Sequence, residues 1–186
     1  DGQYLFYLQR DPQTLLAKFV MRHQIGTLST SDVLVYEETD DTFYTSLFRS
    51  RSGAWLVLQH SETTTTETQI LSAANPTGDF RSVLPREAGH EYTVEDAGEK
   101  LYILTNWRAK NFRVMTANIG SAADKNQWQE LLPEAEDSLL DGMTTLRDWL
   151  VLEEQRDGQR KIWALNLANN EKIYLDSDEI ASAYWA

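Results

Sequence analysis

The chain has 186 residues, of which 41% are hydrophobic and 25% charged, a composition that supports a packed soluble domain rather than a disordered segment. Twenty-nine acidic against 17 basic residues leave a net charge of −12, a field that repels nucleic acid and anionic membrane surfaces and attracts cationic ligands. Cysteine is absent, which excludes disulfides and thiolate metal sites, and no run approaches the about 18 consecutive apolar residues of a membrane helix. The opening Asp1-Gly-Gln lacks the basic and apolar regions of a signal peptide, so a cytoplasmic location is the expectation.

In chain order, short runs rich in Val, Ile, Leu, Tyr, Trp and Thr predict strands, and Gly, Asn and Asp mark the turns between them. The first run is Tyr4-Leu-Phe-Tyr-Leu-Gln, followed by Lys18-Phe-Val-Met-Arg and Val33-Leu-Val-Tyr. The next cycle begins with Tyr44-Thr-Ser-Leu-Phe, turns at Ser52-Gly53, and continues through Trp55-Leu-Val-Leu-Gln-His, Thr68-Gln-Ile-Leu-Ser and Arg81-Ser-Val-Leu. A third reads His90-Glu-Tyr-Thr-Val, a turn at Asp96-Ala-Gly98, then Leu101-Tyr-Ile-Leu-Thr-Asn, Phe112-Arg-Val-Met-Thr and Trp128-Gln-Glu-Leu-Leu. The fourth is Leu139-Leu-Asp-Gly-Met, Trp149-Leu-Val-Leu-Glu-Glu, Lys161-Ile-Trp-Ala-Leu and Lys172-Ile-Tyr-Leu, with turns at Asp157-Gly158 and Asn169-Asn170. Residues 128–146 have a composition that passes for helix, but Pro133 interrupts them and the cycle assigns two strands there.

The repeated phrase starts at Tyr4, Trp55, Leu101 and Trp149, at spacings of 51, 46 and 48 residues. A strand-rich period of this length marks a small sheet repeated in series, for which the β-propeller blade is the usual architecture. The expected fold class is therefore all-β: a β-propeller fragment of about three complete four-stranded antiparallel blades plus parts of two more. The boundaries read from the pattern are an incomplete blade over 1–43, blades over 44–87, 88–133 and 136–177, and the first strand of a next blade over 178–186. Both ends fall inside a blade, so the chain is expected to be part of a longer protein. Cut blade edges are expected to favour self-association.

Few residues carry a signal for chemistry. His23, His60 and His90 lie in or beside three different strands, with no spacing that builds a shared metal site, and structural roles are expected for them. His90 draws interest because it opens a predicted first strand, the innermost position of a blade. The densest acidic run, Glu37, Glu38, Asp40 and Asp41, joins one blade to the next. It has two readings: a carboxylate cluster that steers basic peptides, or a solvated turn whose side chains cap backbone amides. Further acidic clusters at 134–137 and 176–179 also fall between blades, and neither follows the calcium-loop pattern. The threonines at 63–66 read as a hydrated turn, and Trp55, Trp149 and Trp163 as packing between blades.

Longer strings are more specific. The runs from Val33 through Tyr36, Asp40, Asp41 and Tyr44, from Leu84-Pro-Arg through His90-Glu-Tyr, and from Leu101 through Asn111 and Arg113 resemble the propeller of the oligopeptidase B family of serine peptidases. Arg22-His-Gln-Ile-Gly-Thr and Trp128-Gln-Glu-Leu-Leu-Pro extend the resemblance over essentially the whole chain. It implies a seven-bladed propeller that caps an α/β-hydrolase domain and admits short peptides cut after Arg or Lys, by acyl transfer through a Ser-His-Asp triad. The hydrolase domain and its nucleophile elbow Gly-x-Ser-x-Gly do not occur in these residues. No catalytic, cofactor-binding or metal residue is therefore assigned, no cofactor is expected, and the chain alone is expected to be inactive. The implied partners are short basic peptides and the absent hydrolase domain, with no nucleic acid and no membrane. A non-enzymatic propeller scaffold and a prolyl oligopeptidase are the alternatives, and the strings around Asp40, His90 and Asn111 favour oligopeptidase B.

Overall fold

The computed structural model describes residues 2–175, and they are all-β: fifteen strands in four antiparallel sheets, with three short 3-10 turns at Ser29–Ser31, Ile119–Ser121 and Lys125–Gln127. The expected strand in 178–186 and the acidic cluster at 176–179 lie outside the described residues. Each sheet is a meander in which consecutive strands pair as neighbours, the hand-over-hand order of a propeller blade.

The described residues divide into two compact units, with the boundary between Gly89 and His90. The first unit begins with a three-stranded sheet of β1 (Tyr4–Arg10), β2 (Ala17–Gln24) and β3 (Val33–Glu37), in which β1 is an edge strand. A four-stranded sheet follows, with β4 (Tyr44–Arg49), β5 (Trp55–Ser61), β6 (Thr66–Ser72) and β7 (Arg81–Leu84) in that order. Phe6 meets Phe80 edge to face with ring centroids 6.3 Å apart, and Arg22 Nη1 donates to the Pro76 carbonyl at 3.0 Å. Lys18 pairs with Asp41 across the turn that joins the two sheets.

The second unit holds β8 (Tyr92–Ala97), β9 (Lys100–Thr105), β10 (Arg113–Asn118) and β11 (Gln129–Leu132), followed by β12 (Ser138–Leu146), β13 (Trp149–Arg156), β14 (Gln159–Asn166) and β15 (Lys172–Leu175). Its core is one cluster between the two sheets, formed by Tyr102, Leu104, Val114, Leu132, Leu140, Leu150, Leu152, Trp163 and Leu165. Alternation on the strands supplies it: Leu150, Leu152, Trp163 and Leu165 point to one face because successive side chains of a strand alternate sides. Burying each such side chain contributes about 2 kcal/mol. Trp163 thus packs between sheets as the sequence pattern implied.

Residues 128–146 form β11 and β12, with Pro133 in the connection, so the helical composition is overridden by the sheet pattern. Several strand starts differ from the sequence reading. The turn at Gly98 and Glu99 pairs Ala97 with Lys100, so the third copy of the repeated phrase begins at Lys100 and not at Leu101. His90 and Trp128 precede their strands: Trp128 ends a 3-10 turn, where its indole N–H donates to the Ala122 carbonyl at 2.8 Å.

Candidate functional site

The acidic run after β3 meets neither sequence reading as a whole. Glu38 is buried, 2% exposed, because Arg86 reaches it from the segment after β7: Nη1 donates to Oε1 at 3.2 Å and Nη2 pairs with Oε2. The same guanidinium donates from Nε to Glu67 Oε2 at 2.9 Å and lies 3.8 Å from the centroid of the Phe43 ring. Tyr36 donates its hydroxyl to Glu38 at 3.2 Å, and the Asp40 amide donates to Glu38 Oε1 at 2.9 Å. Asp40 itself accepts from the Thr42 amide at 3.0 Å and hydroxyl at 2.6 Å, which is the capping behaviour of a turn Asp. The solvated-turn reading holds for Asp40 and is corrected at Glu38, whose charge is consumed by a buried pair and is not presented to solvent.

His60 completes this cluster. It is fully buried, with Nδ1 3.0 Å from Thr45 Oγ1 and 3.2 Å from Glu38 Oε2, and its ring lies 4.8 Å from that of Tyr36. Burial holds the imidazole below its ordinary 6.5, against the upward pull of Glu38, so the ring is neutral at pH 7. Burial likewise pushes Glu38 upward, but the Arg86 hydrogen bond and charge and the Asp40 amide overcome it, and the carboxyl ends below its ordinary value. Tyr36 is pushed up to about 12 by burial and by the Glu38 charge. A carboxylate, a guanidinium and a neutral imidazole held together in this way form a structural clamp between two sheets of one unit.

The other histidines are held elsewhere. His23 Nδ1 lies 2.6 Å from Asp32 Oδ1, while Tyr7 donates to Asp32 Oδ2 at 2.8 Å. His90 Nε2 lies 2.8 Å from Thr105 Oγ1, and the ring stacks on Tyr92 at 5.2 Å. Among the described residues no group of three or more His, Cys, Asp or Glu side chains is placed to hold a metal ion. With the third phrase starting at Lys100, the sixth position of the phrase is His60, Thr105 and Glu154 in the three four-stranded sheets, and all three are at most 2% exposed. Each sheet therefore buries one polar side chain at one register position of its second strand. The sequence reading missed Arg86, the key to Glu38, although the offset was available: Glu38 follows β3 by one residue and Arg86 follows β7 by two.

Four-stranded antiparallel meanders repeated in series, with polar side chains buried inside them, define a β-propeller segment. The family comparison agrees. Residues 1–184 match the model of the prolyl oligopeptidase N-terminal β-propeller domain, and the chain belongs to that family. It is 34% identical over 182 residues to a dipeptidyl aminopeptidase BI from Pseudoxanthomonas mexicana, which covers 97% of this chain and 25% of the relative. It is 29% identical over 175 residues to protease 2 from Moraxella lacunata, covering 94% and 25%. The chain thus spans about a quarter of the length of these relatives. Among solved structures, oligopeptidase B from Leishmania major superposes with a TM-score of 0.87 at 27% identity, covering 97% of this chain and 26% of that one. Oligopeptidase B from Trypanosoma brucei, solved in a closed form with covalently bound antipain, gives 0.85 at 27% identity over the same shares.

Proposed function

We propose that this chain is the substrate-gating propeller portion of a cytoplasmic serine oligopeptidase that cleaves short peptides after Arg or Lys, and that it is inactive alone. The observation that carries the reading is the agreement of family model, protease 2 similarity and oligopeptidase B structures over nearly the whole chain. Walls built of rigid sheets exclude folded proteins by size, and closure against a hydrolase domain excludes water and aligns the reacting groups. The net charge of −12 favours approach of basic peptides. The test is an assay of the full-length protein on an N-blocked, Arg-containing amide substrate, with and without a serine-directed reagent. Reagent-sensitive cleavage after Arg is the expected result, and no cleavage overturns the reading.

A second reading rests on the 34% identity to a dipeptidyl aminopeptidase. An enzyme of that kind removes dipeptides from a free N-terminus, so it cleaves a free-amino dipeptidyl amide and spares the N-blocked one. Running both substrates separates the two.

The isolated chain is proposed to self-associate. The edge strand β1 borders an apolar groove of about 460 Å3 lined by Leu5, Leu47, Phe48 and Leu56, a surface that invites strand pairing. A monodisperse monomer in light scattering overturns this part.

A further inference from the structure

Within the second unit, a cavity of about 170 Å3 lies against the sheet β12–β15, at the connection between β11 and β12. Strand pairing sets its floor. Leu140 opposes Glu154, Ser138 opposes Arg156, and Trp163 opposes Tyr174, so all six side chains share one face of the sheet. Leu132, Pro133, Glu134 and Ala135 cover it from the other side, and the exposed Glu134 and Lys172 stand at its rim.

The floor is polar where a core would be apolar. Glu154 is 2% exposed and Trp163 3% exposed, and Glu154 Oε1, Arg156 Nε and Trp163 Nε1 are all buried with no hydrogen-bond partner. Arg156 Nε lies 3.6 Å from Glu154 Oε1, close enough for charge attraction and too far for a hydrogen bond. Burying such groups without partners carries a desolvation cost. A partner that donates to the carboxylate and accepts from the indole and the guanidinium removes that cost. The remaining wall, Leu132, Leu140, Ala135 and Tyr174, is carbon-rich, and the volume is several times the roughly 30 Å3 of a water molecule.

We propose that this cavity is a binding site for a small neutral group that both donates and accepts hydrogen bonds and carries a short carbon tail, with a primary carboxamide as the matching chemistry. Its carbonyl accepts from Trp163 Nε1 and Arg156 Nε, its N–H donates to Glu154 Oε1, and its carbon end lies on the apolar wall. A carboxylate is repelled by Glu154. An alkylammonium satisfies Glu154 and leaves the two donors without an acceptor. The site is independent of the peptidase reading, since it rests on side chains of this chain alone.

The test uses the full-length protein labelled with fluorotryptophan and followed by fluorine NMR, with the Trp163 resonance identified by its loss in Trp163→Phe. Acetamide is expected to move that resonance saturably, while sodium acetate and ethylammonium chloride at equal concentration leave it in place. Glu154→Leu is expected to weaken acetamide binding about tenfold, the loss of one hydrogen bond to a buried charge. Glu154→Gln keeps the shape and removes the repulsion, so acetate is expected to shift the resonance in that variant. A resonance indifferent to acetamide means that water alone fills the cavity and overturns the proposal. A response to all three probes alike, or an unchanged preference in Glu154→Gln, overturns it as well.

Discussion

Arg86 holds the buried carboxylate of Glu38 and the partly buried one of Glu67, and the consequence of removing it follows from the asymmetry of buried ion pairs. Deleting one partner leaves a charge without compensation, whereas deleting both leaves an apolar contact. Arg86→Met is expected to destabilise the fold by about 3 kcal/mol, and Glu38→Leu in the same background to restore much of that loss, both read from denaturant unfolding. The neighbouring His60 sets a pH dependence. Its folded pKa lies below 6.5, so the unfolded chain takes up the proton first, and stability is full above that value and lost as pH falls toward the folded value. Glu38, also depressed, adds a second loss that begins only below its ordinary 4.5. Unfolding free energies measured across this range are expected to show both steps in the native sequence, and only the lower step in His60→Leu. A His60→Leu profile that still falls between 6.5 and the ordinary 4.5 of a glutamate contradicts the assignment.

At the scale of elements, strands were legible because their signal is local. Alternating apolar runs bounded by Gly, Asn and Asp placed every described strand, and Pro133 broke the one stretch that mimicked a helix. Features made by two distant segments were not legible. Glu38 and Arg86 are 48 residues apart, and nothing within either string says that the acidic run turns inward. The third phrase reads as starting at Leu101 because Leu101-Tyr-Ile-Leu looks like its siblings, while the register is set by the tight turn at Gly98 and Glu99. A β-bulge in β12 is a further case. Between the pairs Leu140 with Glu154 and Gly142 with Glu153 one extra residue, Asp141, bends the strand and turns its carboxylate to Arg160 at 2.7 Å and Gln155 at 2.8 Å. A Cβ at Gly142 meets the Glu153 side chain at 3.0 Å. Gly142→Val is therefore expected to cost about 2 kcal/mol by overpacking, whereas Gly158→Asn, at φ 73° and with open space around it, is expected to cost well under half of that in the same unfolding assay.

For the molecule as a whole, the proposed gating role makes a direct prediction about the chain by itself. The purified 186-residue chain is expected to show strand-rich circular dichroism and to hydrolyse neither the blocked Arg amide nor the free dipeptidyl amide. Turnover by the pure chain, lost on mutation of any of its own serines, contradicts this. The buried polar residue at the sixth position of each second strand reaches further than local stability. His60 answers to Glu38 and Thr45, Thr105 to His90, and Glu154 to Arg156. Sheets that are nearly alike in shape are thereby given different locks. At the one such pair that reaches beyond its own sheet, His60 with Glu38, a sheet moved into its neighbour's place would lose its partner, so this contact helps the first two sheets settle side by side during folding.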